Sequence, residues 1–363
     1  MAKEKFFSAG WCAFLCILAF CVGLALGAGA YLYMGRPVSE RIPSESDIEV
    51  HFLELGNAYT GDCTYIRAGD NDILIDAGSR TTSIPAIKEA LDEYVTDGKL
   101  EYVIVTHAHQ DHYAGFATNE GKDSLFDLYE CGTIIDFAMT NQKDTDSTYK
   151  NYLRERQEAV NRGAKHYTAQ DCIAEGLDKF NLGNGITMQI LNSYFYTNKA
   201  KEENNYSVCT LFSQGDDHYL FTGDLEEKGE EHLVDLNDLP EVRLYKAGHH
   251  GSGTSSHGKL LERIKPEVVC VCCCCGSAEY TEVNANQFPT QDFIDRIAPY
   301  TDRVYVTSYC TDWVNKSFTS MNGRITVRVR GGEVEVTCSN NDIKLKDTAW
   351  FRENRTCPAA WAA

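Results

Sequence analysis

Thr106-His107-Ala108-His109-Gln110-Asp111-His112 follows directly on the apolar run Leu100-Glu101-Tyr102-Val103-Ile104-Val105. The run is short and rich in β-branched residues, so it predicts a buried strand that delivers three imidazoles and a carboxylate to its end. In extended backbone, residues i and i+2 share a face. His107 and His109 can therefore grip one ion, while Asp111 and His112 in the turn beyond can hold a second. Ligand-type residues crowded this closely past a buried strand are hard to explain as surface composition.

A second window, Gly248-His249-His250-Gly251-Ser252-Gly253, also follows an apolar run, Val242–Ala247. Its glycines let the backbone approach an ion or a phosphate closely, and Ser252 can point at an anion. Between the windows lies Leu220-Phe221-Thr222-Gly223-Asp224, a strand that ends in an acid. Its place between two histidine clusters makes Asp224 a candidate ligand. Asp62 reads either as a site-lining acid or as a turn residue, and Asp76 either orients a ligand or serves its turn.

Outward from these windows the chain alternates strand and helix signals. Ile48-Glu49-Val50-His51-Phe52-Leu53-Glu54-Leu55 has period two, Ile84, Ile87, Ala90, Leu91 and Tyr94 have helical spacing, and a second helix is expected over Thr148–Val160. Further strands are expected at Ile186–Leu191, Ser207–Phe212 and Tyr219–Thr222, and a closing hairpin turns at Gly331-Gly332. Cys270-Val271-Cys272-Cys273-Cys274-Cys275 reads as a buried strand of small apolar residues rather than a thiolate site, because neighbours in a strand face opposite ways. Few or no disulfides are expected. The pattern predicts an α/β fold, with sheets covered by helices.

The composition, 43% hydrophobic and 24% charged over 363 residues, is that of a globular chain and excludes disordered and fibrous classes. With 34 basic and 53 acidic side chains the net charge is −19, which argues against a broad phosphate-gripping surface. Phe6 to Gly35 lacks any charged side chain, with Lys3 and Lys5 before it and Trp11, Tyr31 and Tyr33 toward its ends. This predicts a membrane anchor over residues 1–35, single-pass, with the catalytic domain outside the cytoplasm. The alternative is a signal peptide cleaved near Ala30, giving a secreted protein. A linker (36–47), a folded domain (48–340) and a tail (341–363) follow.

The run His107-x-His109-x-Asp111-His112, with Thr222-Gly223-Asp224 and His249-His250-Gly251-Ser252, resembles the metallo-β-lactamase superfamily of dinuclear metal hydrolases. Within it, the nearest branch is the extracytoplasmic domain of ComEC-type competence (DNA-uptake channel) proteins and their free-standing relatives. The likeness runs from about Ile48 to Ser308 and includes Phe52-Leu53-Glu54-Leu55-Gly56, Ile75-Asp76-Ala77-Gly78, Asn205-Tyr206-Ser207-Val208 and Lys265-Pro266. It implies an αββα sandwich, here preceded by one N-terminal transmembrane helix, with metals at one edge of the two sheets. It also implies His107 and His109 on one ion, Asp111 and His112 on the other, and Asp224 bridging. His249 would complete the second site, with His250 as its neighbour or substitute, facing substrate.

On this resemblance the expected catalytic residues are Asp111, Asp224 and His250, and Ser252, Lys246 and Asn205 are expected to bind substrate. The expected cofactors are two divalent ions, zinc or, because Glu203-Asn204-Asn205-Tyr206-Ser207 stands where most members carry another histidine, manganese. The implied activity is hydrolysis of phosphoesters or phosphodiesters by a metal-activated water, with DNA among the candidate substrates and no protein partner inferred. Phe288 stands where the competence branch often carries a histidine, removing a candidate acid. Alternatives are hydrolysis of another ester, of cell-wall phosphocholine or of β-lactams, or a non-catalytic exported domain that binds a metal or a partner.

Overall fold

The computed structural model describes residues 46–362. The expected anchor over 1–35, and the linker as far as residue 45, lie outside the described residues. Among the described residues no helix is long and apolar enough to cross a membrane. The strands are β1 (Ile48–Phe52), β2 (Thr64–Ala68), β3 (Asn71–Ile75), β4 (Lys99–Val105), β5 (Glu130–Asp136) and β6 (Lys165–Thr168), then β7 (Lys179–Gly183), β8 (Ile186–Ile190), β9 (Thr210–Gln214) and β10 (Asp217–Phe221). They continue with β11 (Leu244–Lys246), β12 (Val268–Cys275), β13 (Val304–Asp312), β14 (Ser317–Ser320), β15 (Ile325–Arg330) and β16 (Glu333–Cys338).

Two mixed sheets of eight strands result, ordered β16-β15-β1-β2-β3-β4-β5-β6 and β14-β13-β12-β11-β10-β9-β8-β7. Each contains a parallel run, β3 to β6 in one and β10 to β13 in the other. The sheets share an apolar core in which Phe52 of the first packs on Phe221 of the second, their ring centroids 6.3 Å apart. β12 shows how alternation builds the layers. Cys270 and Cys272 face that shared core, while Val269, Val271, Cys273 and Cys275 face a second one made with Leu260, Leu261, Phe293 and Ile294 of the helices Gly258–Ile264 and Gln291–Ile297. The described cysteines are all unpaired, and those of β12 are buried.

The helices Ile84–Asp92 and Ser147–Asn161 stand within a residue or so of their expected spans. The strand expected from Ser207 begins instead at Thr210. The reason is local: the Val208 N–H donates to the Thr106 carbonyl, and the Ser207 hydroxyl accepts from the Asp224 N–H, so both residues are drawn out of the ladder. The tail is part of the folded body, with Leu345, Phe351 and Trp361 buried in the second core.

Candidate metal centre

The candidate ligands leave strand ends on both sheets, mainly at the carboxyl ends of the parallel runs, where α/β sheets open their crevices. β3 runs into Asp76, whose Oδ1 accepts from the Thr106 N–H and whose Oδ2 accepts from the Thr106 hydroxyl, each at 2.8 Å. Oδ2 of Asp76 also lies 2.7 Å from Nδ1 of His112. A carboxylate can only accept, so Nδ1 of His112 donates to Asp76 and Nε2 is turned toward Oδ2 of Asp224, 3.1 Å away, where in the metal-free protein it also donates. β4 delivers His107 and His109, with Nε2 of His107 3.0 Å from Nδ1 of His109. His109 keeps extended backbone and precedes the one-turn helix Gln110–Tyr113, which places Asp111 and His112.

The second sheet supplies Asp224 and the histidine pair. Gly223, just before Asp224, has a φ of 54°, and a Cβ there would stand 2.8 Å from Oγ of Ser207 and 2.9 Å from Cβ of Thr106, so only glycine lets the two loops approach. His249 and His250 are both left-handed, at φ 47° and 55°. Consecutive non-glycine residues in this region persist only where the surroundings hold them. The double turn sends the two rings different ways. Nδ1 of His250 is 2.9 Å from the Cys272 carbonyl and 3.1 Å from Oδ1 of Asp62, and Nε2 is 3.3 Å from Asp224 and 3.4 Å from Asp111. His249 instead puts Nδ1 2.8 Å from the Thr254 hydroxyl and keeps Nε2 3.9 Å from Asp224. The structure thus brings His250 to Asp111, where the sequence favoured His249.

Four overlapping donor groups follow: His107, His112 and Asp224; Asp111, His112 and His250; Asp62, Asp224 and His250; and Asp62, Asp76 and His112, the ligand atoms within each lying inside 4.8 Å. Burial acts to raise the Asp224 carboxyl, and the surrounding imidazoles of His112, His250 and His249 more than offset it, holding it well below the ordinary carboxylate range. Burial acts to lower His112, but Asp224 and Asp76 raise it well above the ordinary imidazole value. His107, buried beside His112 and His109, is driven well below that value. Strong mutual perturbation of this kind marks functional clusters. The residues fit a metal. Nε2 of His250 and Oδ1 of Asp224 are buried without a well-formed hydrogen bond, the latter 3.6 Å from Nζ of Lys246, so both atoms keep lone-pair capacity that a cation would use.

The three residues expected to bind substrate are all buried in the structure. Lys246 is 3% exposed, bonds the Gly223 carbonyl at 3.2 Å and forms a tight ion pair with Asp62, because β11 ends beneath the donors rather than in front of them. Ser252 is 6% exposed and its hydroxyl accepts from the Thr254 N–H within its own turn. The side-chain oxygen of Asn205 packs against Gly229, 2.7 Å from where a Cβ would sit there, and it is Asn204 that approaches Nδ1 of His249, at 3.4 Å. Tyr280 was missed altogether. Its hydroxyl donates to Oδ2 of Asp111 at 2.5 Å, from a loop with no motif to announce it.

A model of the metallo-beta-lactamase superfamily matches residues 56–118, the stretch that carries Asp62, Asp76 and the first histidine cluster. Recombination protein 2 of Haemophilus influenzae is 25% identical over 263 residues, covering 72% of this chain and 28% of that protein. Competence protein ComA of Neisseria gonorrhoeae is 25% identical over 294 residues, covering 78% of this chain and 36% of that protein. The chain thus spans about a third of the length of the curated relatives it matches. Among solved structures, the metallo-beta-lactamase fold protein YhfI of Bacillus subtilis aligns over 80% of this chain and 99% of its own, with 12% identity and a TM-score of 0.43. The chain thus carries a metallo-beta-lactamase superfamily match over residues 56–118 and is similar, at 25% identity, to these competence and recombination proteins.

Proposed function

We propose that this protein is a metal-dependent hydrolase of phosphoester or phosphodiester bonds, anchored in the membrane by residues 1–35 with its folded domain outside the cytoplasm. The observation that carries the reading is the convergence of His107, Asp111, His112, Asp224 and His250, with Nε2 of His250 and Oδ1 of Asp224 left without a well-formed hydrogen bond. Divalent ions held there, zinc or manganese, supply a nucleophilic water near neutral pH and stabilise the developing negative charge. The chain's own groups do the rest. Asp76 and the Cys272 carbonyl fix the rings of His112 and His250 through Nδ1, so that both Nε2 atoms face inward. Lys246 balances Asp62 beneath them. His107 joins His112 and Asp224, and its Nε2 lies 3.0 Å from Nδ1 of His109, the residue expected to share its ion. No serine or cysteine here is arranged as a nucleophile among the described residues, and the cysteines near the centre, Cys63 and Cys272, are buried with thiols pushed well up by burial.

The choice of phosphate esters is supported by the relatives' names, which speak of recombination and competence, and by the resemblance to DNA-uptake domains. The charge of −19 favours a short or single-stranded substrate over an extended duplex. The test uses the full chain, stripped by chelation and refilled with zinc or manganese, acting on bis-p-nitrophenyl phosphate and on single-stranded DNA. Turnover that falls at least about 1,000-fold in Asp111→Ala and in Asp224→Ala supports the reading. Bound metal with no turnover on either substrate overturns it.

A further inference from the structure

Residues 276–290 connect β12 to the helix Gln291–Ile297 and pass over the metal centre. The loop closes on itself where the Gly276 N–H donates to the Phe288 carbonyl at 2.8 Å. Its two aromatic residues face the donors. The Phe288 ring lies 5.6 Å from that of His249 and 5.8 Å from that of His250, and 5.6 Å from the ring of Tyr280. Tyr280 is 54% exposed, yet its hydroxyl rests on Oδ2 of Asp111. It therefore stands between solvent and a candidate ligand, Asp111.

The loop is pinned at both ends by charged side chains that are otherwise unexplained. Near Tyr280, Oε2 of Glu279 accepts from the Thr60 N–H and Oε1 from Arg80, each at 2.8 Å. At the other end the tail reaches back. Arg355 is 9% exposed and donates from Nε to the Pro289 carbonyl at 2.9 Å, from Nη2 to the Gln287 carbonyl at 2.7 Å and from Nη1 to Oδ1 of Asn284 at 3.0 Å. A buried guanidinium spending three nitrogens on one loop holds that loop in a single place, and no lysine could reproduce the fork. The tail, which matches nothing in the family resemblance, thereby sets where Phe288 and Tyr280 sit.

We propose that Tyr280 is a catalytic residue that donates a hydrogen bond to an oxygen of the bound substrate, and that Arg355 is the positioning residue that holds its loop over the centre. This rests on the phosphoester reading above. A phenol is a neutral donor at physiological pH, and it already lies within hydrogen-bonding distance of a candidate ligand, so it needs only a small reorientation to meet an oxygen held beside that ligand. With Lys246 buried against Asp62, this hydroxyl supplies a neutral donor on the more exposed side of Asp111.

The test compares full-length wild type, Tyr280→Phe, Arg355→Ala, Arg355→Lys and the double variant Y280F/R355A, each metal-loaded. Bound metal, kcat and KM on bis-p-nitrophenyl phosphate, and calorimetric binding of inorganic phosphate are read for all. The expected result is unchanged metal content in Tyr280→Phe with kcat/KM down by about 10- to 100-fold, the range for one hydrogen bond to a charged group. Arg355→Ala and Arg355→Lys should show a similar loss, and the double variant should be little worse than Tyr280→Phe alone, since both changes remove the same contact. An active wild type with an equally active Tyr280→Phe overturns the proposal and leaves the phosphoester reading standing. Loss of metal in Tyr280→Phe overturns it too, by showing that the phenol serves the ions rather than the substrate. Losses in Y280F and R355A that simply multiply overturn the positioning role. A loaded wild type that neither turns over nor binds phosphate overturns the phosphoester reading itself and the proposal with it.

Discussion

His249 and His250 are adjacent and chemically identical, and the backbone alone decides their roles. Two successive left-handed conformations aim one ring at Thr254 and the other at Asp111 and Asp224. His250→Ala removes a donor whose Nε2 faces the centre, so metal affinity should fall by at least about 100-fold, as measured by competition with a chromophoric chelator. His249→Ala should cost less than about tenfold, the lower end of what residues outside the ligand shell contribute. Equal losses would show that both rings ligate. This was the point least legible in the chain. Gly248-His249-His250-Gly251 tells that a histidine is delivered after β11, but which of the two turns inward depends on φ values imposed by the Asp62 carboxylate and the Cys272 carbonyl, residues remote in sequence.

At the scale of elements, β1 shows a charge device of a different kind. Glu49 lies opposite Arg67 on β2 and Arg328 on β15, and Oε1 is 2.9 Å from Nε2 of His51. The His51 imidazole 2.9 Å away, working against burial and joined by the charges of Arg67 and Arg328, pushes Glu49 from 4.5 down to about 2. A carboxyl lowered on folding stabilises the native state above its unfolded value and loses that contribution as pH falls toward the folded one. Metal-free Glu49→Gln should therefore be less stable than wild type by about 1 kcal/mol at pH 6, and the gap should close between pH 4.5 and pH 2, as read by urea titration. A gap that stays constant across that window would assign the difference to shape rather than charge. Elements with strong periodicity were readable in advance, among them β12, the helix Ser147–Asn161 and the Ile325–Cys338 hairpin. β6, Lys-His-Tyr-Thr, was not, because an edge strand half open to solvent needs no apolar alternation and shows none. The loop carrying Tyr280 was equally silent: its place over Asp111 is set by Arg355 and Glu279 from distant parts of the chain.

For the whole molecule the decisive fact is that the donors come from both sheets, Asp111 and His112 from the first and Asp224 and His250 from the second. Binding that favours the folded chain raises its stability by about 2.7 kcal/mol at a hundredfold excess over Kd. Stripping the metal should then lower Tm by about 5–10 °C, seen by scanning calorimetry with and without chelator, and Asp224→Ala should show almost no such difference. A chelator-insensitive wild type would mean that ions add nothing to the union of the sheets. If ions are bound, the edge where the two sheets share donors is riveted, and prising the layers apart there would mean stripping ligands from a cation. On the proposed reading, metal starvation would then be felt twice, first as lost chemistry and then as a looser body exposed to proteases, so that the supply of metal would govern how long each molecule survives as well as what it can do.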